Sequence, residues 1–135
     1  MTAVGISGEE ALALIAEHHL GDRVCVAGFN SSRGATVAGS PDALSVLEAA
    51  LAEQALFFRR LDLDYAFHSP AMDPIESGIR EALAGIQPGT THVPFYSTVT
   101  GAPLDGTALT ADYWWRNVRE PVSYTHLTLP TTPYV

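Results

Sequence analysis

The chain has a single cysteine, Cys25, which excludes an internal disulfide framework. It stands in the apolar run Val24-Cys25-Val26-Ala27, where a buried small hydrophobe is the expected role and a nucleophile is not. Basic side chains are scarce: seven Lys and Arg face 15 Asp and Glu, a net charge of −8. That balance argues against nucleic acid or anionic lipid as the main partner. The acids are scattered and form no tail. No apolar run approaches the roughly 18 residues of a membrane span. The N-terminal stretch lacks the basic region and apolar core of a secretory signal. No membrane partner and a reducing, cytoplasmic setting are therefore expected. No Cys/His cluster has metal-ligand spacing, so no metal site is expected. A phosphate loop and Gly-x-Gly-x-x-Gly are absent. So is Gly-x-Ser-x-Gly, the turn that presents a nucleophilic serine at the top of a hydrolase-type sheet.

What is present suits a globular chain. Hydrophobic residues make up 47% and charged residues 16% of 135, enough for a real core in one domain or a domain plus a piece. Thr2–Ile6 is β-compatible. Ser7-Gly8-Glu9-Glu10 reads as a helix start, and Leu12, Ile15 and His19, flanked by Leu14 and Ala16, give the helix one broad apolar face through Leu20. Val24–Phe29 and Ala35–Ala38 are strands joined by the turn Asn30-Ser31-Ser32-Arg33-Gly34. Ser40-Pro41 is a cap followed by a first-position proline. Leu44, Leu47 and Leu51 then repeat at helical spacing. From Phe57 the period changes to two, with Leu61, Leu63 and Tyr65 alternating with Arg60, Asp62 and Asp64. The predicted order over residues 1–64 is β-α-β-β-α-β, the split βαβ or ferredoxin-like arrangement.

After His68 the pattern changes. Asp73-Pro74-Ile75-Glu76 predicts a capped helix with the stripe Met72, Ile75, Ile79, Leu83 and Ile86, stopped by Pro88-Gly89. Val93–Thr100 reads as a strand and Asp105-Gly106 as a turn. Thr110 caps a last helix through Trp114, Trp115 and Val118. These elements are too few for a closed second domain and need a partner sheet. From Ser123 periodicity is lost, and residues 123–135 are expected to be a disordered or only loosely attached tail.

The residue best placed for chemistry is His68, in Tyr65-Ala66-Phe67-His68-Ser69-Pro70 between a strand-like and a helix-like run. A neutral imidazole is the side chain best suited to take a proton near pH 7. Taken alone, His68 is better explained by a structural role, because no convincing nucleophile accompanies it. Ser32 lies in a hairpin turn, which has no helix N-terminus to hold an oxyanion. His18 and His19 share a helix without metal-ligand partners, and His92 and His126 are isolated. Trp114 and Trp115 point about 100° apart on a helix, one toward the core and one toward a boundary. Arg116 and Arg119 share a face, either as surface charges near Glu120 or as a docking face.

The segments Met1–Gly5, Val24–Ser31 with Thr36–Gly39, Asp64–Asp73, Val93–Gly101 and Ala111–Val122 resemble the acyltransferase domain of modular type I polyketide synthases, related to malonyl-CoA:acyl-carrier-protein transacylases. Pro94-Phe95-Tyr96-Ser97-Thr98-Val99-Thr100-Gly101 and Asp112-Tyr113-Trp114-Trp115-Arg116-Asn117-Val118-Arg119-Glu120-Pro121-Val122 carry most of its specificity. The resemblance implies an α/β (α+β) fold: a ferredoxin-like small subdomain over 1–64, and a partial return over 65–122 into an α/β-hydrolase-like large subdomain. Residues 123–135 lie outside it. It implies His68 as general base, serving a serine that this chain lacks. Tyr65, Ala66 and Phe67 become substrate-binding, since the family's acyl preference follows the four residues ending in that histidine. Tyr65-Ala66-Phe67-His68 mixes the methylmalonyl and malonyl patterns and leans to malonyl. Asn30 matches a turn at the subdomain cleft, although Ser32 replaces the family's proline. The implied substrate is an acyl-coenzyme A thioester. The implied acceptor is the phosphopantetheine thiol of an acyl carrier protein, with no cofactor held by this chain. The remaining partners are the rest of the large subdomain and neighbouring synthase domains. The alternative reading is a free-standing ferredoxin-like binding or interaction module without catalysis.

Overall fold

The structure, a computed structural model, describes residues 1–124. A five-stranded mixed sheet has the order β4-β1-β3-β2-β7. Its strands are β1 (Thr2–Val4), β2 (Val24–Ser31), β3 (Gly34–Gly39), β4 (Phe58–Arg60) and β7 (Val122–Ser123). The first four pair antiparallel, and β7 joins β2 in parallel. Helices α1 (Gly8–Glu17) and α2 (Pro41–Glu53) fall between β1 and β2 and between β3 and β4. A separate two-stranded sheet pairs β5 (Tyr96–Ser97) with β6 (Ala102–Pro103). A 3-10 helix (Pro70–Ile75), α3 (Glu76–Ala82), a single 3-10 turn (Gly106–Ala108) and α4 (Ala111–Arg119) complete the described chain.

The core forms where α1 and α2 cover one face of the sheet. Ala11, Leu14 and Ile15 from α1 and Leu44, Leu47 and Leu51 from α2 meet Val4, Val24, Val26 and Val37. Both helices start from local signals. Ser7 and Glu10 form a reciprocal capping box, which satisfies two orphan N–H groups of the first turn. Pro41 takes the first position of α2, where its missing N–H costs nothing. On β2, strand alternation sends Val24 and Val26 to the helices and Cys25 to the opposite face. The hairpin register slips between Val26 and Gly28, so Ala27 is a bulge just before the point where β7 attaches.

Several expectations are corrected. Ile15 and its neighbour Leu14 are buried as expected, together with Ala11, but Leu12 is exposed. His19 has left the helix with φ 54°. The period-two run does not continue as a strand to Tyr65. β4 stops at Arg60, and Leu61 N–H donates to Met1 O just before β1; beyond it the alternating residues pair with no strand among the described residues. The cap after His68 is Ser69, not Asp73: its hydroxyl accepts from Ala71 N–H, and a 3-10 helix precedes α3. The stripe from Met72 to Ile86 fully buries no residue of these two helices. Of Val93–Thr100, only Tyr96–Ser97 is strand. Ser123 and Tyr124 are bonded to neighbouring segments: Ser123 N–H donates to Thr98 O, just after β5, and Tyr124 N–H to Phe29 O in β2. The rest of the expected tail lies outside the described residues.

Candidate functional site

Residues 61–67 cross from β4 to the face of the sheet opposite α1 and α2, and His68 lands behind β2. Its backbone takes the left-handed region, φ 61°, a conformation a side-chain-bearing residue adopts only when its surroundings hold it. Three contacts do so. His68 N–H donates to Val118 O at 2.9 Å. The Cys25 thiol faces His68 O at 3.6 Å. The ring Nδ1 lies 2.8 Å from Glu120 O. On the next residue, the buried Ser69 hydroxyl donates to Ala66 O at 2.5 Å and accepts from Ala71 N–H.

The two carbonyls come from the end of α4, and the local sequence explains why they are free. The last carbonyls of a helix have no intrahelical partner. Pro121 cannot continue the helix and pushes the residue before it into extended backbone; Glu120 sits at φ −82°, ψ 152°. Its carbonyl thereby leaves the helix axis and faces the imidazole. A carbonyl only accepts, so Nδ1 carries the proton and Nε2 keeps the lone pair. The arrangement is a histidine with a fixed tautomer and one basic nitrogen, half-buried at an edge. No candidate nucleophile among the described residues contacts that nitrogen.

Tyr65 and Phe67 lie beside this histidine as a packed pair. Their ring centroids are 4.4 Å apart at 51°, and the Phe67 centroid is 6.3 Å from that of His68. Both rings keep substantial exposure. Ala66 instead borders a cleft of about 520 Å³ with Cys25 and Ser69, which His68, Tyr65 and Phe67 do not line. Asn30 is not drawn into this group. It donates to Thr36 across the hairpin and lies five residues beyond Cys25, about 16 Å along the strand. Ser32 is exposed in the hairpin turn. Burial raises the Cys25 thiol above its ordinary range, against a smaller opposing pull from Arg119, so this is not an activated nucleophile. His18 is half-buried, while His19 and His92 are exposed. No group of three or more metal-ligating side chains occurs among the described residues, and His126 lies outside them. No helix among them is long and apolar enough to cross a membrane.

Glu120, Val118 and Cys25 are the participants that residue types did not flag. The only sequence signal was the Glu120-Pro121 step, which ends a helix with an unpaired carbonyl. The α4 region itself follows expectation. Thr110 caps it, Trp115 is buried and Trp114 is half-buried. Tyr113 is buried with its hydroxyl 2.9 Å from Ser97 Oγ, which ties α4 to β5.

Comparison with known proteins places this geometry. The profile of the family described as acyl transferase domain matches residues 1–131, and so runs into the segment expected to fall outside it. Mycoketide-CoA synthase of Mycobacterium tuberculosis (strain ATCC 25618 / H37Rv) is 40% identical over 124 residues, covering 92% of this chain and 3% of that protein. Among solved structures, the acyltransferase domain from module 8 of the salinomycin polyketide synthase superposes with a TM-score of 0.85 at 38% identity, covering 90% of this chain and 28% of that one. Malonyl CoA-acyl carrier protein transacylase from Burkholderia pseudomallei shares the fold, with a TM-score of 0.80 at 21% identity over 91% of this chain and 42% of that one. The chain thus spans a few per cent of the curated synthase's length and under half of these solved chains.

Proposed function

This chain belongs to the acyl transferase domain family, and from that premise we propose that it supplies the general base of an acyl transfer from an acyl-coenzyme A thioester to an acyl carrier protein. The observation that carries the proposal is the bond between His68 Nδ1 and Glu120 O. It leaves Nε2 as the single proton acceptor, directed away from the carbonyl that holds the ring.

In this reading a serine from the remainder of the domain attacks the thioester carbon, and Nε2 takes the hydroxyl proton as the carbon–oxygen bond forms. The proton then passes to the departing coenzyme A thiolate. In the second half, the phosphopantetheine thiol of the carrier gives its proton to Nε2 and attacks the acyl-serine ester. The serine leaves and recovers the proton. Backbone amides outside this chain stabilise the oxyanion. Residues 1–64 act as a ferredoxin-like small subdomain, a reading supported by the strand order β4-β1-β3-β2 with α1 and α2 on one face. Residues 65–122 lead back to a large subdomain that provides the serine. Tyr65 and Phe67 border the acyl group, Ala66 joins them through the backbone while lining the neighbouring cleft beside Cys25, and Asn30 stands at the edge of the cleft between subdomains. The packed Tyr65–Phe67 pair fills space that a methyl branch would need, which favours malonyl over methylmalonyl units.

The test replaces the matching segment of a complete polyketide synthase acyltransferase domain with residues 1–124 and measures thiol release from malonyl-CoA in the presence of carrier protein. Turnover that disappears in His68→Ala supports the assignment. Undiminished turnover in that variant overturns it. The isolated chain is expected to show no turnover, because a base without its nucleophile leaves most of the barrier standing. Phe67→Ser in the active chimera is expected to shift the malonyl to methylmalonyl ratio by roughly 10- to 200-fold, the range one methyl group commands in a pocket.

A further inference from the structure

Both carbonyls that hold His68 belong to the last turn of α4 and its cap. The orientation of the ring therefore depends on where α4 lies against the segment that follows His68. Apolar packing secures that relation weakly, since neither the 3-10 helix nor α3 buries a residue. Two ion pairs supply what packing does not. Asp73 in the 3-10 helix accepts from Arg119 Nε in the last turn of α4. Arg80 in α3 donates to Asp112 in the first turn of α4 at 2.8 Å. Positions 73 and 80 on one segment match 119 and 112 on the other. The two segments are thus clipped antiparallel, with one clip near each end of α4.

The clips are alike in exposure but not in position. Arg119 stands between Val118 and Glu120 in sequence, and Asp73 follows His68 within the same turn-and-helix segment. The Arg119 charge also reaches Cys25, whose thiol faces the His68 carbonyl. Arg80–Asp112 sits at the far end of α4, about 10 Å along its axis. His68 itself holds a left-handed backbone that relaxes once its partners shift.

We propose that Arg119 and Asp73 are a positioning pair for His68, fixing the end of α4 so that Glu120 O meets Nδ1 and Nε2 alone remains basic. The inference deepens the reading of His68 as the base and rests on it. An exposed ion pair adds little stability, so its loss is expected to change the ring without unfolding the chain.

The test uses the 135-residue chain labelled with 15N and reads the His68 ring nitrogens by long-range proton–nitrogen correlation, at a pH where the ring is neutral. The native chain is expected to show the Nδ1–H tautomer. Arg119→Ala and Asp73→Asn are expected to lose it to a tautomer mixture. Arg80→Ala and Asp112→Asn are expected to keep it, and the exchanged pair Asp73→Arg with Arg119→Asp to recover it. An unchanged ring in Arg119→Ala, or an equal loss in Arg80→Ala, overturns the proposal. So does loss of the cooperative melt in the isosteric Asp73→Asn, which makes the pair a structural requirement. The tautomer is read without turnover, so this outcome is separate from whether the completed domain transfers acyl groups.

Discussion

His68 and Glu120 meet through one hydrogen bond, ring Nδ1 to backbone carbonyl at 2.8 Å, across 52 residues of chain. The partner is the backbone of Glu120, not its carboxylate, which is engaged by Arg116 at 2.7 Å. Two substitutions separate these roles. In a completed acyltransferase domain, His68→Gln is expected to lower kcat by about 10²- to 10⁴-fold, the usual contribution of a positioned base. Glu120→Ala keeps the carbonyl and removes an exposed i,i+4 pair worth about 0.3–0.5 kcal/mol. It is expected to leave kcat within a few-fold of native. Thiol release from malonyl-CoA measures both.

Leu51 is 0% exposed and Leu12 is 49% exposed, although both sit in helices with apolar repeats. Leu51→Ala removes a side chain from the centre of the core and is expected to cost about 2–5 kcal/mol. Leu12→Ala lies on the solvent face and is expected to change stability by less than about 0.5 kcal/mol. Urea unfolding midpoints decide between them.

Gly39 and Gly21 make a second contrast. A Cβ on Gly39 would stand 2.3 Å from the Arg23 carbonyl and 2.9 Å from Val24 Cγ2, whereas one on Gly21 meets nothing within 4 Å. The Gly39 contact is with backbone, which has little room to yield. Gly39→Ala is expected to destabilise by about 1–3 kcal/mol, and Gly21→Ala to be neutral or slightly stabilising. Thermal melts of the two variants check this.

Glu48 links α2 to two strands, accepting from Arg60 at 2.7 Å and from Thr2 at 2.6 Å. Burial pushes its carboxyl upward, but the bonds from Arg60 and Thr2 outweigh burial and hold it below the usual glutamate range. A folded-state value below the unfolded one stabilises above the unfolded pKa, about 4.3, and that contribution is lost as pH falls through the folded value. Glu48→Gln is expected to give a shallower loss of stability on the acid side of about pH 4.3. Denaturant unfolding from about pH 6 to 3 measures the slope. An unchanged slope counts against the linkage.

The features legible in the sequence are those whose physics closes within a few residues. Ser7-Gly8-Glu9-Glu10 predicts a helix start and Thr110 a cap, because each hydroxyl accepts a backbone N–H three residues on, and Pro41 predicts its own first-turn position, where a missing N–H costs nothing. The hairpin turn between β2 and β3 was legible for the same reason. The alternating run to Tyr65, the strand over Val93–Thr100 and the stripe to Ile86 show where such patterns mislead. Each has the right periodicity and no surface to pair with or bury against among the described residues.

The sequence by itself determined where α1, α2 and α4 begin, which face of α2 turns inward and that His68 stands at a junction of elements. Only the tertiary structure decided what His68 can do. Its tautomer is set by a carbonyl 52 residues away, freed by the proline that follows and carried to the ring by β7 pairing alongside β2. A hydrogen bond between backbone and ring leaves no mark on residue type at the accepting position, because every residue has a carbonyl.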